Sequence, residues 1–223
     1  MKYDIISVDW NPGQTDLWLH YVKKNCPEAY VTLIPDEKPV PWHWAAGKIN
    51  CFKQVFETDC VIYLDTDTIV TCDLSFVFDE LGGRILGAAT SPSVCPYYKR
   101  RGISQSLRPL ADNLGIKDMP GHYNSGFIVT RMHKDDLPSF AAAWEEMHHT
   151  VKKYIGKDHY MDEIALSFLI EAIGEQWDIP PEIHGNVCGR KIFGTSNKPA
   201  VIHYHKTERL GKFGLGEYLC IEK

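Results

Sequence analysis

Two aspartates one residue apart constrain this chain more than any other feature, because they stand between apolar runs in Val61-Ile62-Tyr63-Leu64-Asp65-Thr66-Asp67-Thr68-Ile69-Val70. Four consecutive apolar residues bounded by polar ones predict a buried strand of a mainly parallel sheet. The carboxylates then fall at the strand's C-terminal end, and in open α/β sheets ligands collect outside the carboxyl ends of the strands. Clustered carboxylates at such an edge are explained by a cation better than by packing. Oxygen ligation suits a hard divalent ion, Mn²⁺ or Mg²⁺, which takes one or two carboxylates and completes its shell with phosphate oxygens. Asp65 and Asp67, with Thr66 between them, are therefore candidates to hold a metal-bound diphosphate. The plain alternative is a solvated turn after a strand.

With 223 residues, 44% of them hydrophobic and 24% charged, the chain is long enough for one sizeable α/β core, and a single domain over 1–223 is expected. A net charge of −5, with only the short Lys99-Arg100-Arg101 run of basic residues, argues against nucleic acid as a partner. Seven cysteines form no Cys-x-x-Cys pair and, being odd in number, suggest no disulfide framework. Thiols in a reducing, cytoplasmic setting fit that pattern. No window approaches the length and hydropathy of a membrane span.

In chain order, Ile5 to Val8 predicts the first strand, ended by Asp9-Trp10-Asn11-Pro12-Gly13. Asp9 there faces the nucleotide or caps the next helix, with Thr15 as a helix cap. Tyr30 to Ile34 predicts a second strand, and Gly47 to Phe56 an amphipathic helix with Lys48 near its start. Leu74 to Leu81 predicts a short helix before Gly82-Gly83, and Ile85 to Ala89 a strand. Residues 91–121 lack sustained periodicity and are expected to form a long acceptor-facing loop. His122-Tyr123-Asn124-Ser125-Gly126 opens a further buried strand, where Asn124 and Ser125 offer hydrogen bonds to sugar hydroxyls and Gly126 permits close approach. A helix from about Asp135 to Tyr154 and another from Tyr160 follow, the second with Asp162 and Glu163 exposed in its first turn, where the helix dipole favours acids whatever the function. Trp177 to Pro180 and Pro199 to His205 predict late strands. His203 and His205 share a face of the last one, as would suit a metal or a phosphate.

Taken in order, these segments resemble the GT-A glycosyltransferases of family 8. The resemblance rests on Lys48-Ile49-Asn50-Cys51-Phe52, the hydrophobic-Leu64-Asp65-Thr66-Asp67 strand, Tyr123-Asn124-Ser125-Gly126-Phe127, Asp162-Glu163-Ile164-Ala165-Leu166-Ser167 and Val201-Ile202-His203-Tyr204. It implies a GT-A type Rossmann-like fold, a mixed, mainly parallel central sheet flanked by helices. It also implies a nucleotide-sugar donor, a UDP-sugar, and a glycan, lipid-linked or protein acceptor. Carried over position by position, Asp65, Asp67 and His203 would hold Mn²⁺ or Mg²⁺. Lys48 would meet the diphosphate, and Asn124 and Asp162 would lie beside the donor sugar as catalytic residues. Retention of the anomeric configuration follows from the resemblance, whereas Asp162 acting as a base on the acceptor would imply inversion. Lys206 and Arg209 stand where the family has Gly and Lys, and with Lys48 they could form an anion site. Glu163 stands where Gln is usual. Two other readings are a non-catalytic nucleotide-sugar or glycan-binding module and a haloacid-dehalogenase-like phosphatase. The latter would use Asp65 as nucleophile, with Asp67 and Thr68 nearby, and needs a further acidic pair at a strand end.

Overall fold

The computed structural model describes residues 1–36, 43–90, 102–156, 161–174, 176–188, 191–193 and 199–204. Its first strand, β1 (Tyr3–Asp9), pairs in parallel with β2 (Ala29–Pro35) and with β3 (Cys60–Leu64). Alternation sorts β1 and β3 between two cores: Ile6, Val8, Val61 and Tyr63 enter one, while Tyr3, Ile5, Ile62 and Leu64 enter the other, as expected where both faces of a sheet are covered. On the far side of β3 lies β6 (Tyr123–Arg131), antiparallel both to it and to β5 (Leu86–Thr90), and β7 (Gln176–Asp178) closes the edge parallel to β5. The order is β2-β1-β3-β6-β5-β7, a mixed sheet in which β6 alone runs against the rest. That single reversal matters for the site, since it brings the start of β6 to the carboxyl end of β3.

Helices cover both faces. On the side of Tyr3 and Ile62, α1 (Pro12–Asn25) and α3 (Val77–Leu81) contribute Trp18, Val22, Val77 and Phe78. The opposite side holds α2 (His43–Cys51), α4 (Ile103–Asn113), α5 (Leu137–Ile155) and α6 (Met161–Ile173), which contribute Ile49, Leu107, Phe140, Trp144 and Ile164. The helix α1 is capped by Asn11, whose side chain accepts from Gly13 N, with Pro12 in the first turn. Thr15 is therefore inside the helix and not its cap, because proline's fixed φ and missing N–H place it at a helix start. The helix α2 begins and ends earlier than its periodicity predicted, so Lys48 sits in its last turn.

Residues 102–121 hold α4, where a wholly irregular loop was expected. Its buried Ile103, Leu107, Leu110 and Ala111 recur at helical spacing. A second, smaller sheet was not foreseen as a unit. It runs β4 (Thr68–Val70), β10 (Val201–His203), β8 (His184–Cys188), β9 (Lys191–Phe193), with β10 antiparallel to β4 in a register that sets His203 opposite Thr68. Cys26, Cys51, Cys60 and Cys72 are free thiols. Among the described residues no helix is long and apolar enough to cross a membrane.

Candidate active site at the carboxyl end of β3

Asp65 follows Leu64 and keeps the facing of Val61 and Tyr63, so its carboxylate turns toward the layer of α2 and α6. Its backbone N–H donates to Gly126 O at 2.8 Å, which continues the β3–β6 pairing one step past the strand. The turn after it is closed by Thr68, whose N–H and hydroxyl both donate to Asp65 O, at 3.1 and 2.7 Å. Thr66 is buried in that turn. Tyr204 N donates to Asp67 O at 3.0 Å and fastens β10 beside the turn. In consequence His203 Nε2 lies 2.9 Å from Asp67 Oδ1 and 3.9 Å from Asp65 Oδ2.

One ligand atom each from Asp65, Asp67 and His203 falls within 4.8 Å of the others, so these three side chains could hold a metal ion. The space between them depends on Gly126. A Cβ there would lie 2.4 Å from His203 Cε1 and 2.7 Å from Asp65 Oδ2, closer than side-chain contacts allow. Two carboxylates and one imidazole around a spot that a single methyl group would fill suit a hard or borderline divalent cation. The chemistry of the set therefore fits the metal implied by the sequence.

Two buried groups fix Asp65 from behind. Tyr63 OH donates to Asp65 Oδ1 at 2.5 Å, and Lys48 Nζ donates to Asp65 Oδ2 at 2.9 Å. Lys48 also donates to Ser125 Oγ at 2.9 Å and pairs with Asp162 Oδ2 at 3.2 Å, while Ser125 Oγ donates to Asp162 Oδ2 at 2.8 Å. An ammonium has three N–H donors, and these contacts account for all of them. A direct bond from Lys48 to a phosphate would require one of them to yield.

The charge states follow from this crowding. Burial raises the Asp65 carboxyl above its ordinary value; Lys48 opposes that, and the neighbouring Asp67 adds to it. Burial works against the Lys48 charge, but Asp65, Asp162 and Glu163 outweigh it and raise the amine. For Asp162 burial is again opposed, here by Lys48 and by the Ser125 hydrogen bond, and the net result is a lowered carboxyl that stays ionised. His203 is raised, since Asp67 and then Asp65 overcome the cost of burying its charge. Burial, with Asp65 close by, pushes the Tyr63 phenol well up, which keeps it a hydrogen-bond donor.

Asp162 is buried, not exposed in a solvated first turn as expected. The physical reason is that α6 is apolar all round, with every residue from Met161 to Ile170 buried. Its first turn is tied to α5 by Trp144 Nε1, which donates to Asp162 O at 3.1 Å. Glu163 is buried as well, between His122 and Asn124. Asp9 accepts from Thr15 Oγ1 at 2.6 Å, at the entry to α1. Gly47 lies against the Trp10 ring, where a Cβ would come within 2.4 Å of Cη2, so Trp10 packs on the helix that carries Lys48. Sequence reasoning missed Tyr63 as a partner of Asp65, although its alternation with Asp65 in β3 was the available signal. It also missed the His122–Glu163 pair, which no local pattern announces. His205, Lys206 and Arg209 lie outside the described residues, as do the Lys99-Arg100-Arg101 run and Trp42.

A phosphatase would need a further acidic pair at a strand end. Asp135 and Asp136 instead lie in a 3₁₀ turn (Lys134–Asp136) leading into α5. A mixed sheet with one reversed strand, and an Asp-x-Asp turn at the end of its central parallel strand, defines a GT-A type glycosyltransferase fold. The chain belongs to glycosyl transferase family 8, whose description it matches over residues 48–209. Among solved structures it is similar to the galactosyltransferase LgtC in complex with donor and acceptor sugar analogs (TM-score 0.65, 15% identity, 98% of this chain and 95% of that one). It is also similar to mouse xyloside xylosyltransferase 1 in its apo form (TM-score 0.60, 10% identity, 91% of this chain and 97% of that one). A third similar structure is the bifunctional glycosyltransferase WbbM (TM-score 0.64, 14% identity, 98% of this chain and 49% of that one). No curated protein matches the chain by sequence.

Proposed function

We propose that this glycosyltransferase moves a sugar from a UDP-sugar to a hydroxyl acceptor with a divalent ion, Mn²⁺ or Mg²⁺, held by Asp65, Asp67 and His203. The observation that carries the reading is the approach of those three ligand atoms to within 4.8 Å at the edge of the sheet. Among the described residues four carboxylates, of Asp65, Asp67, Asp162 and Glu163, crowd there against one lysine, Lys48. An anionic diphosphate can approach such a site only with a cation between, and LgtC, a structural neighbour, was solved with donor and acceptor sugar analogs.

A bound divalent ion supplies charge neutralisation for the departing nucleoside diphosphate. The chain's own residues do the rest. Lys48 holds Asp65 and Asp162 in fixed positions and adds positive potential beside the leaving group. Asn124, Ser125 and Asp162 are assigned to the sugar, Asp9 and Thr66 to the nucleotide, and Lys206 and Arg209, which lie outside the described residues, to the diphosphate. A carboxyl kept ionised by Lys48 and Ser125 is a weak proton acceptor, so Asp162 is assigned to orient a donor hydroxyl and to stabilise positive charge at the anomeric carbon, not to act as a base.

Calorimetric titration of UDP tests the proposal. With Mn²⁺ the wild type is expected to bind UDP at least about tenfold more tightly than with EDTA, and Asp67→Asn to abolish that difference. Asp67 is the better choice for substitution, because Asp65 also belongs to the Lys48 network. Equal affinity with Mn²⁺ and with EDTA in the wild type would sink the metal-dependent reading.

A further inference from the structure

Behind the residues assigned to the donor sugar lies a buried chain of hydrogen bonds that none of those roles requires. The carboxylate of Glu163 is gripped on both oxygens: His122 Nε2 lies 2.5 Å from Oε2, and Asn124 Nδ2 donates to Oε1 at 2.8 Å. Asn124 is held at its other end too, because its Oδ1 accepts from Gly126 N at 2.9 Å. Gly126 O in turn accepts from Asp65 N, and Gly126 leaves the space between Asp65 and His203. His122, Asn124 and Glu163 are all buried.

The chemistry of these groups makes the chain directional. A carboxylate only accepts hydrogen bonds, so the atom of Asn124 facing it must be the nitrogen. The Gly126 N–H only donates, so the atom facing it must be the oxygen. Both ends therefore demand the same orientation of the Asn124 amide. His122 must then carry a proton on Nε2. The backbone on either side is fixed independently: Ser167 Oγ donates to Glu163 O at 2.7 Å and accepts from Tyr123 N at 3.0 Å, which fastens the first turn of α6 to the start of β6.

From this arrangement we propose that Glu163 is a positioning residue, backed by His122, that sets the Asn124 amide and through it the Gly126 N–H of β6 at the active site. The inference rests on the reading of Asn124 as a neighbour of the donor sugar. It gives the acid a role unlike that of its neighbour Asp162, which turns to Lys48. A group that only orients Asn124 is replaceable by an amide, because Gln Oε1 accepts from Asn124 as well as a carboxylate does, provided that its Nε2 finds an unprotonated His122 Nε2. A group that uses its negative charge on the substrate is not replaceable in that way.

The test is a double-mutant cycle on turnover, read as UDP release with Mn²⁺ from UDP-galactose or UDP-glucose, whichever the wild type consumes faster. Thermal unfolding confirms that each variant folds. Asn124→Ala and Glu163→Ala should each lower kcat about tenfold or more, and the double variant should lose hardly more than the worse single one. Glu163→Gln should keep kcat within a few-fold of wild type, with the His122 Nε2 ¹⁵N resonance moving from its protonated to its unprotonated position as the sign that the amide has taken the carboxylate's place; the non-additive loss of kcat in the cycle, without a matching loss of Tm, is what a merely structural role would not produce. If Asn124→Ala alone leaves kcat unchanged, the reading of Asn124 fails and this inference with it. If Asn124→Ala lowers kcat but the two losses multiply, or if Glu163→Gln is as inactive as Glu163→Ala, the positioning role alone is overturned. Should Glu163→Ala not fold, Glu163→Gln against wild type still decides: kcat within a few-fold supports the positioning role, and a loss of about tenfold or more in a folded variant overturns it.

Discussion

Lys48→Met removes from a site of buried carboxylates the lysine that pairs with them, while keeping most of the apolar stem. Lys48 Nζ stands 2.9 Å from Asp65 Oδ2 and 3.2 Å from Asp162 Oδ2, with side-chain exposures of 10%, 13% and 11%. At an effective dielectric constant of about 20, those separations correspond to attractions of roughly 5 to 6 kcal/mol each before desolvation. Removing one member of a buried pair typically costs about 3–5 kcal/mol, because the remaining charge is left without compensation. For a chain of this size each kcal/mol moves Tm by about 2–4 °C, so Lys48→Met should melt roughly 6–20 °C below wild type without metal. Mn²⁺ should restore part of the difference, since it would neutralise Asp65 but leave Asp162 unpaired. The internal control is Lys53, which pairs with Glu145 at 2.8 Å but with exposures of 37% and 32%. Screening reduces such a pair to about 1 kcal/mol or less, so Lys53→Met should shift Tm by no more than about 4 °C. Differential scanning fluorimetry with and without Mn²⁺ measures all of this. Equal small shifts for the two lysines would refute the claim that burial makes the Lys48 network a structural necessity.

Gly126→Ala places a Cβ 2.4 Å from His203 Cε1 and 2.7 Å from Asp65 Oδ2. It should weaken Mn²⁺ binding about tenfold or more in a paramagnetic titration, and unchanged affinity would show that the ion sits elsewhere. Asp162, whose carboxyl is lowered against the tendency of burial, contributes stability that is present above the ordinary carboxylate pKa and is lost as pH falls through its lowered folded value. Urea unfolding between neutral pH and about pH 3 should therefore fall more steeply for wild type than for Asp162→Asn, with the difference confined below about pH 4; parallel curves would remove the shift.

How much of this could be read in advance depended on the range of the interaction. The apolar run before Asp65 was decisive because alternation in a strand is local: once Val61 and Tyr63 face one core, Asp65 faces the same way. Nothing local indicates that β6 runs antiparallel to β3, yet that pairing brings Asn124, Ser125 and Gly126 to Asp65. The small sheet escaped for the same reason. His184-Gly185-Asn186-Val187-Cys188 has little apolar alternation and is a strand because β10 and β9 pair with it. The helix α4 was legible at Ile103, Leu107 and Leu110, but Pro109 and the polar composition of its surroundings masked the period. The burial of Asp162 and Glu163 was present in the sequence as the continuous apolar run from Ile164 to Leu166 and from Phe168 to Ile170. A charge in the first turn of a helix so thoroughly apolar has to find a partner inside the protein.

These partners explain why metal and nucleotide should bind as one thermodynamic event. Asp65 is raised by burial and by Asp67 even with Lys48 and His203 beside it, so keeping its carboxyl ionised carries a cost that a further cation would relieve. Tyr63 and Lys48 already occupy the rear of Asp65, and His203 the far side of Asp67. Between Asp65 and His203, Gly126 leaves no side chain in the way. A divalent ion held by Asp65, Asp67 and His203, as proposed, would relieve the repulsion between Asp65 and Asp67 and would favour a diphosphate that the bare carboxylates would repel. Each ligand would then raise the affinity for the other by the same factor, as linkage requires. Gly126 joins the two halves of the site: a side chain there would meet Asp65 and His203, two of the three candidate metal ligands, and its N–H and C=O bind Asn124 on one side and Asp65 on the other.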